Sequence, residues 1–86
     1  MRAPLRRPRL SRLHEIVADV LGVPPASIDR TSGPREFPQW DSAAHIDIIL
    51  SLETEYGVAF SAHEMLEAVS VATLEELLVH KGVCLK

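Results

Sequence analysis

The stretch Asp41-Ser42-Ala43-Ala44-His45-Ile46-Asp47-Ile48-Ile49-Leu50-Ser51-Leu52-Glu53-Thr54-Glu55-Tyr56-Gly57 decides the fold. It opens on two residues that favour a helix N-terminus and closes on a glycine suited to a helix C-terminus. Between them the pattern predicts a helix over about Ser42 to Tyr56. At about 100° per residue, with Ile46 at zero, Ile48, Leu52, Tyr56 and Ile49 fall between roughly 200° and 300°. His45 lies in the same arc. A stripe of that width serves one core.

Three further apolar residues fall off that stripe. Ile46, Leu50 and Ala43 lie near roughly 0°, 40° and 60°, with Glu53 among them at roughly 340° and Asp47 beside them near roughly 100°. A glutamate is not buried without a partner. Two readings are open. Ile46 and Leu50 form a second, exposed face rimmed by Asp47 and Glu53, suited to a partner with a basic, apolar-centred patch. Alternatively, they pack under the loop that precedes the helix. Ser42 lies near roughly 320°, on the edge of this face. Its hydroxyl, beside Asp41 at a loop–helix junction, is expected to be accessible. The helix N-terminus favours a phosphate attached there. Asp-Ser before a helix also serves as a plain cap.

Working outward, Leu13, Ile16, Val17, Val20 and Leu21 recur at one face of a first helix. Ser11 is its expected cap, Gly22 its C-terminal residue, and Pro24-Pro25 prevent continuation. From about Gly22 to Trp40 five prolines and glycines after Gly22 exclude a long helix. Loops this long in a small domain are often functional. Ile28, Phe37 and Trp40 are its expected anchors to the core. Ser61 and Glu64 have capping-box spacing, which starts a short third helix near Ala62. Val71, Leu74, Leu77 and Leu78 give the stripe of a fourth helix after Ser70, closed by Lys81-Gly82. The fold expected is all-α: a small four-helix bundle, three main helices plus a short third, with a long first loop.

Composition narrows the function. Eighty-six residues make one small domain, with little material for both a core and a walled active site. Apolar residues at 47% and charged residues at 24% argue against global disorder. No apolar run approaches the roughly 20 residues of a membrane span, nor is there the apolar stretch of a signal peptide. A cytoplasmic protein is expected. A lone cysteine, Cys84, excludes an internal disulfide and a Cys-based zinc cage. Residues 1–12 carry five arginines and no acid, while residues 13–86 carry four basic side chains against twelve acidic ones. A basic, proline-bearing tail thus precedes an acidic body. The acidic body argues against nucleic acid and for basic protein partners. The tail reads as a flexible extension, with RNA or a membrane surface as the other reading.

The segment Trp40-Asp41-Ser42-Ala43-Ala44-His45-Ile46 resembles the attachment motif of acyl carrier proteins, commonly Asp-Ser-Leu. Leu21-Gly22-Val23-Pro24-Pro25 followed by Ile28 is similar to the end of that family's first helix and the start of its long loop. Leu52-Glu53-Thr54-Glu55-Tyr56-Gly57-Val58 resembles its leucine, acidic, aromatic and Gly-Ile/Val run, and Ser70-Val71 through Leu78 the start of its last helix. The resemblance covers about residues 11–82. It implies a basic flexible tail over 1–10, a carrier domain over 11–82 and a C-terminal tail over 83–86. It also implies that a phosphopantetheinyl transferase moves 4′-phosphopantetheine from coenzyme A to Ser42. The arm then carries acyl groups as thioesters, and the protein catalyses nothing itself. Asp41 would position the transferase complex. Ala43, Ile46, Asp47, Leu50 and Glu53 would face partners such as acyltransferases and ketosynthases. A stand-alone monomer is implied, with neither nucleic acid nor membrane as a partner.

Departures from the pattern point to specialisation. Ala43 stands where leucine is commoner, Ala44 where many fatty-acid carriers have an acid, and Gln39 where glycine is frequent. They fit a polyketide or other secondary-metabolite pathway, with a fatty-acid pathway or a D-alanyl or aminoacyl carrier as alternatives. His14, His45, His63 and His80 lack paired metal-ligand spacing. A Ser42–His45 dyad fits helical spacing but lacks a third orienting group and an oxyanion hole. From a different class, an unmodified helical interaction module docking through the second helix would share this fold and face.

Overall fold

The computed structural model describes residues 9–83, with side chains from Arg12 onward. Four helices follow in order: α1 over Arg9–Leu21, α2 over Ser42–Tyr56, α3 over Ala62–Glu67 and α4 over Val71–His80. A single 3-10 turn, Pro25–Ser27, interrupts the first loop. Among the described residues there is no strand. The all-helical bundle with a short third helix is therefore the fold observed. The basic segment 1–8 and Cys84 lie outside the described residues.

One boundary differs from expectation. α1 begins at Arg9, so Ser11 lies inside the helix and does not cap it. The reason is legible in the chain: Leu10 precedes Leu13 by three residues and Val17 by seven, so the apolar spacing continues upstream of Ser11. At the other end Gly22 adopts φ 74°, and the Gly22 and Val23 amides both donate to the Ala18 carbonyl. Only a residue without Cβ takes that left-handed turn at no steric cost.

The core is shared by the three longer helices. Leu13 and Val17 of α1, Ile48, Ile49 and Leu52 of α2, and Val71, Leu74 and Leu78 of α4 are fully buried. The α2 members are those of the expected stripe, and Tyr56 packs against the same cluster. Each such side chain contributes roughly 1.5–3 kcal/mol by leaving water.

The long loop is fastened at both ends and in its middle. Ile28 and Trp40 are buried, and Phe37 packs against the core. Between them the loop straps onto the start of α4. The Val71 amide donates to the Ser32 carbonyl and the Ala72 amide to the Arg30 carbonyl, each at 2.9 Å. A helix leaves its first amides without internal partners, so the strap satisfies donors that burial would otherwise penalise. The Arg30 guanidinium adds an ion pair to Glu75 at 3.0 Å. Ser32 is buried, and its hydroxyl accepts from the Asp29 amide at 2.9 Å. Gly33 makes the approach possible: a Cβ there would sit 2.5 Å from the Val69 carbonyl oxygen.

α3 starts with the capping box its sequence predicts. The Glu64 amide donates to Ser61 Oγ at 3.1 Å, and the Ser61 amide donates to Glu64 Oε1 at 2.8 Å. The same carboxylate meets Lys81 Nζ at 2.8 Å, and Lys81 also lies 5.4 Å from the Phe60 ring centre. α3 is thereby tied to the end of α4. The Lys81 hydrogen bond first, and then the Ser61 amide, hold the Glu64 carboxyl below its ordinary value of 4.5.

Two predictions follow from this packing. Gly33→Ala forces the strap away from Val69 and lowers stability by about 1–3 kcal/mol, read as a fall in melting temperature by circular dichroism. Because the Glu64 carboxyl is depressed in the fold, its stabilisation is present above its ordinary value and lost as pH falls through the folded one. In Glu64→Gln, urea titrations between about pH 5 and about pH 3 therefore show a shallower loss of stability than in wild type.

Candidate functional site

The loop delivers Trp40 into the core and emerges two residues later at Ser42. Asp41 between them is extended, with φ −96° and ψ −170°, and is the N-cap of α2. Its Oδ1 accepts from the Ala44 amide at 2.9 Å, and its carbonyl accepts from the His45 amide at 2.8 Å. Capping therefore falls to Asp41. Ser42 is the first helical residue, and both it and Ala43 are exposed. The amides of Ser42 and Ala43 have no partner inside the helix and sit at its electropositive end.

His45 holds this junction to the rest of the bundle. The indole Nε1–H of Trp40 donates to His45 Nδ1 at 2.9 Å, and His45 Nε2 lies 2.8 Å from the Met65 carbonyl oxygen. The two rings stack with centroids 6.1 Å apart. A buried indole N–H needs an acceptor, and a carbonyl near the end of α3 needs a donor; one half-buried histidine serves both. Beside Ser42 the arrangement leaves an apolar groove of about 510 Å³ between α2 and α3, its walls including Trp40, His45, Ile46, Met65, Leu66 and Val69. Leu66 and Val69 are 79% and 62% exposed at its rim. A larger groove of about 700 Å³ runs between α1 and α2 and contains neither Ser42 nor its neighbours. The ion pair from Arg12 of α1 to Glu55 of α2 spans it, and Arg12 also pairs with Glu15 on its own helix.

The α2 face anticipated from sequence separates into two parts. Asp41, Ser42, Ala43, Ile46, Asp47 and Leu50 are exposed on the surface of α2. Ile46 and Leu50 are 46% and 54% exposed, so they do not pack under the long loop. Glu53 departs from the expected rim. It is half-buried, and its Oε2 accepts from the Phe60 amide at 2.8 Å. The partner that a buried glutamate demands is thus a backbone amide of the α2–α3 connection. Sequence reading missed the Trp40–His45–Met65 link and the apolar rim of α3. The first had a signal: a buried tryptophan with a histidine five residues on. The second had one too, in Leu66 and Val69 three residues apart around the end of a short helix.

The bundle thus brings an exposed serine to a loop–helix junction with an apolar groove beside it. The phosphopantetheine attachment site family matches residues 11–78, and the chain belongs to that family. A search of curated proteins finds no match. Membership makes the chain a carrier protein whose prosthetic group is covalent 4′-phosphopantetheine. The residues present fit that group: an accessible hydroxyl, unpaired amides for a phosphate, and a groove for a mostly uncharged arm. Among the described residues no helix is long and apolar enough to cross a membrane.

The division of labour between Asp41 and Ser42 is measurable. Ser42→Ala changes unfolding free energy by no more than about 0.5 kcal/mol. Asp41→Ala removes the cap and costs about 0.5–2 kcal/mol in the same urea titration.

Proposed function

We propose that Ser42 is the residue that receives phosphopantetheine, and that the chain is a stand-alone carrier of acyl intermediates. The observation that carries this reading is that Asp41, not Ser42, caps α2, which leaves an exposed serine hydroxyl with no structural task. In the attachment step, catalysed by a phosphopantetheinyl transferase, Ser42 Oγ gives up its proton and attacks the pantetheine-side phosphorus of coenzyme A. The pyrophosphate P–O bond breaks, adenosine 3′,5′-bisphosphate leaves, and the serine oxygen becomes the ester oxygen of a phosphodiester. The bound arm supplies a terminal thiol on which an acyl group is held as a thioester. The Ser42 and Ala43 amides, which have no partner inside the helix, would be available to the phosphate, and the helix dipole would favour its charge. Asp41 sets the turn that projects Ser42 outward.

His45 supports carriage over catalysis. A Ser42–His45 dyad needs a free imidazole nitrogen to take the serine proton. Both His45 nitrogens are engaged, one by Trp40 and the other by the Met65 carbonyl.

Partners dock, on this reading, against Ile46 and Leu50 with Asp41, Ala43 and Asp47 around them. Glu53, placed with that face from sequence, sits at its edge with its carboxylate committed to Phe60. The fitting partner presents basic side chains about an apolar centre, as the transferase, an acyltransferase or a ketosynthase would. With Ala43 and Ala44 after the serine and Glu53 turned to the backbone, α2 offers a weakly acidic surface. We assign the chain to a polyketide or other secondary-metabolite pathway, with a fatty-acid pathway as the second assignment.

Incubation with coenzyme A and a broad-specificity phosphopantetheinyl transferase tests the attachment. Intact mass should rise by one phosphopantetheine in wild type and stay unchanged in Ser42→Ala. An unmodified wild type, under conditions that load a control carrier, would favour an interaction module that is never loaded. Leu50→Asp tests the docking face. The melting temperature should hold while the transferase KM rises; a variant that unfolds would show Leu50 to be core.

A further inference from the structure

Every polar contact of the His45 ring is accounted for, and the accounting admits one protonation state. An indole N–H donates and never accepts, so the nitrogen facing it, Nδ1, must carry a lone pair. Nε2 then carries the proton and donates to the Met65 carbonyl. The neutral Nε2–H tautomer satisfies Trp40 and Met65 together. A second proton, on Nδ1, sets N–H against N–H and breaks the link to Trp40. No other tautomer holds both partners.

What the ring joins is the site. Trp40 is the buried loop residue two before Ser42, His45 lies one turn after Ser42, and Met65 belongs to the opposite wall of the groove. The charged groups on the surrounding elements bond elsewhere or face solvent. Asp41 binds the Ala44 amide, Glu64 binds Lys81 at the C-cap of α4 and the Ser61 amide, and Glu67 pairs with His63. Asp47 on α2 and Arg35 and Glu36 on the loop are exposed. No carboxylate among these is bonded to the imidazole to neutralise an added proton.

We infer that His45 is a positioning residue for Ser42: a neutral-imidazole latch that fixes the loop–α2–α3 junction and releases Trp40 when the ring is protonated. That Ser42 is the loading residue is the reading proposed above; the latch itself stands on the geometry of three residues. Acidification loosens the last loop residues, so Ser42 is presented less well, while the core of α1, α2 and α4 stays formed.

The test uses the full chain without its arm. Trp40 is the only tryptophan, so its fluorescence and its indole proton resonance report the latch directly. As the pH is lowered from about 8 to about 5, the indole resonance should shift reversibly and the emission move to longer wavelength. Far-UV circular dichroism should not change. His45→Gln offers an uncharged donor and acceptor on one side chain and should make the indole signals flat with pH. Nitrogen shifts of wild-type His45 at pH 8 should show the proton on Nε2, which needs no variant to fold. The ratio of loading rates at pH 7.5 and pH 5.5 should be about threefold larger in wild type than in His45→Gln, a comparison that cancels the transferase's own pH dependence. Equal indole titrations in wild type and His45→Gln, or a proton on Nδ1, would overturn the latch. If Ser42 takes no arm while the indole titrates as expected, the attachment reading fails and the latch stands.

Discussion

The first amides of α4 impose the constraint on which the rest of the molecule depends. Val71 is fully buried, so its N–H has no access to water, and no residue of its own helix can accept from it. The Ser32 carbonyl does so, and the Arg30 carbonyl takes the next amide. A twenty-residue connection without these bonds would be a slack tether. With them it becomes two short spans, one from α1 to the strap and one from the strap to Trp40. The second span sets where α2 begins and therefore where Ser42 emerges. Gly33 permits the backbone contact, and Asp29 organises the turn through the Thr31 amide and hydroxyl at 2.9 and 2.7 Å.

α2 faces two ways because its neighbours occupy only part of its circumference. Ile48, Ile49 and Leu52 are consumed by the core, and Ile46 and Leu50 are not. Roughly half of each outward side chain remains in water, which forgoes part of the roughly 1.5–3 kcal/mol that full burial would contribute. A bundle selected for stability alone would place polar residues there. On the carrier reading, that forgone burial becomes available when a partner covers the face. Glu53 shows the opposite solution on the same helix. Its carboxylate folds back to the Phe60 amide, trading a possible external contact for a fixed turn into α3.

Elements defined by periodicity and caps were legible from the chain, because those signals are local. The α2 stripe, the Gly57 stop at φ 67° and the Ser61–Glu64 capping box all follow from residue types at fixed spacing. The start of α1 is less legible: Ser11 is a good cap in isolation, yet the apolar spacing runs past it through Leu10 and the helix begins at Arg9. Ser32 and Gly33 carried no such signal. Their roles arise only when α4, some forty residues later, comes to lie beside them. The same holds for the Met65 carbonyl. His45 could be placed in the core arc from its angle on the helix, but what it bonds there depends on α3. The exposure of Ile46 and Leu50, open between two readings in the sequence, depends on how the long loop settles against the other helices, and no local pattern encodes that.

A carrier must tolerate its group being added and exchanged without reweighting its own fold, and magnitudes at the α2 N-terminus bear on this. A phosphodiester on Ser42 would add a negative charge next to Asp41. Two unit charges about 4 Å apart repel by about 1 kcal/mol in water, and less when further apart or screened by salt. The helix terminus favours an anion by about 0.3–1 kcal/mol. The two effects oppose each other at similar size. Asp41 keeps its bond to the Ala44 amide throughout, because that bond uses its carboxylate and not the Ser42 side chain. Splitting the cap and the exposed hydroxyl between adjacent residues thus leaves the free energy of α2 nearly indifferent to a modification at Ser42. A serine that both capped the helix and carried the arm would tie the two together.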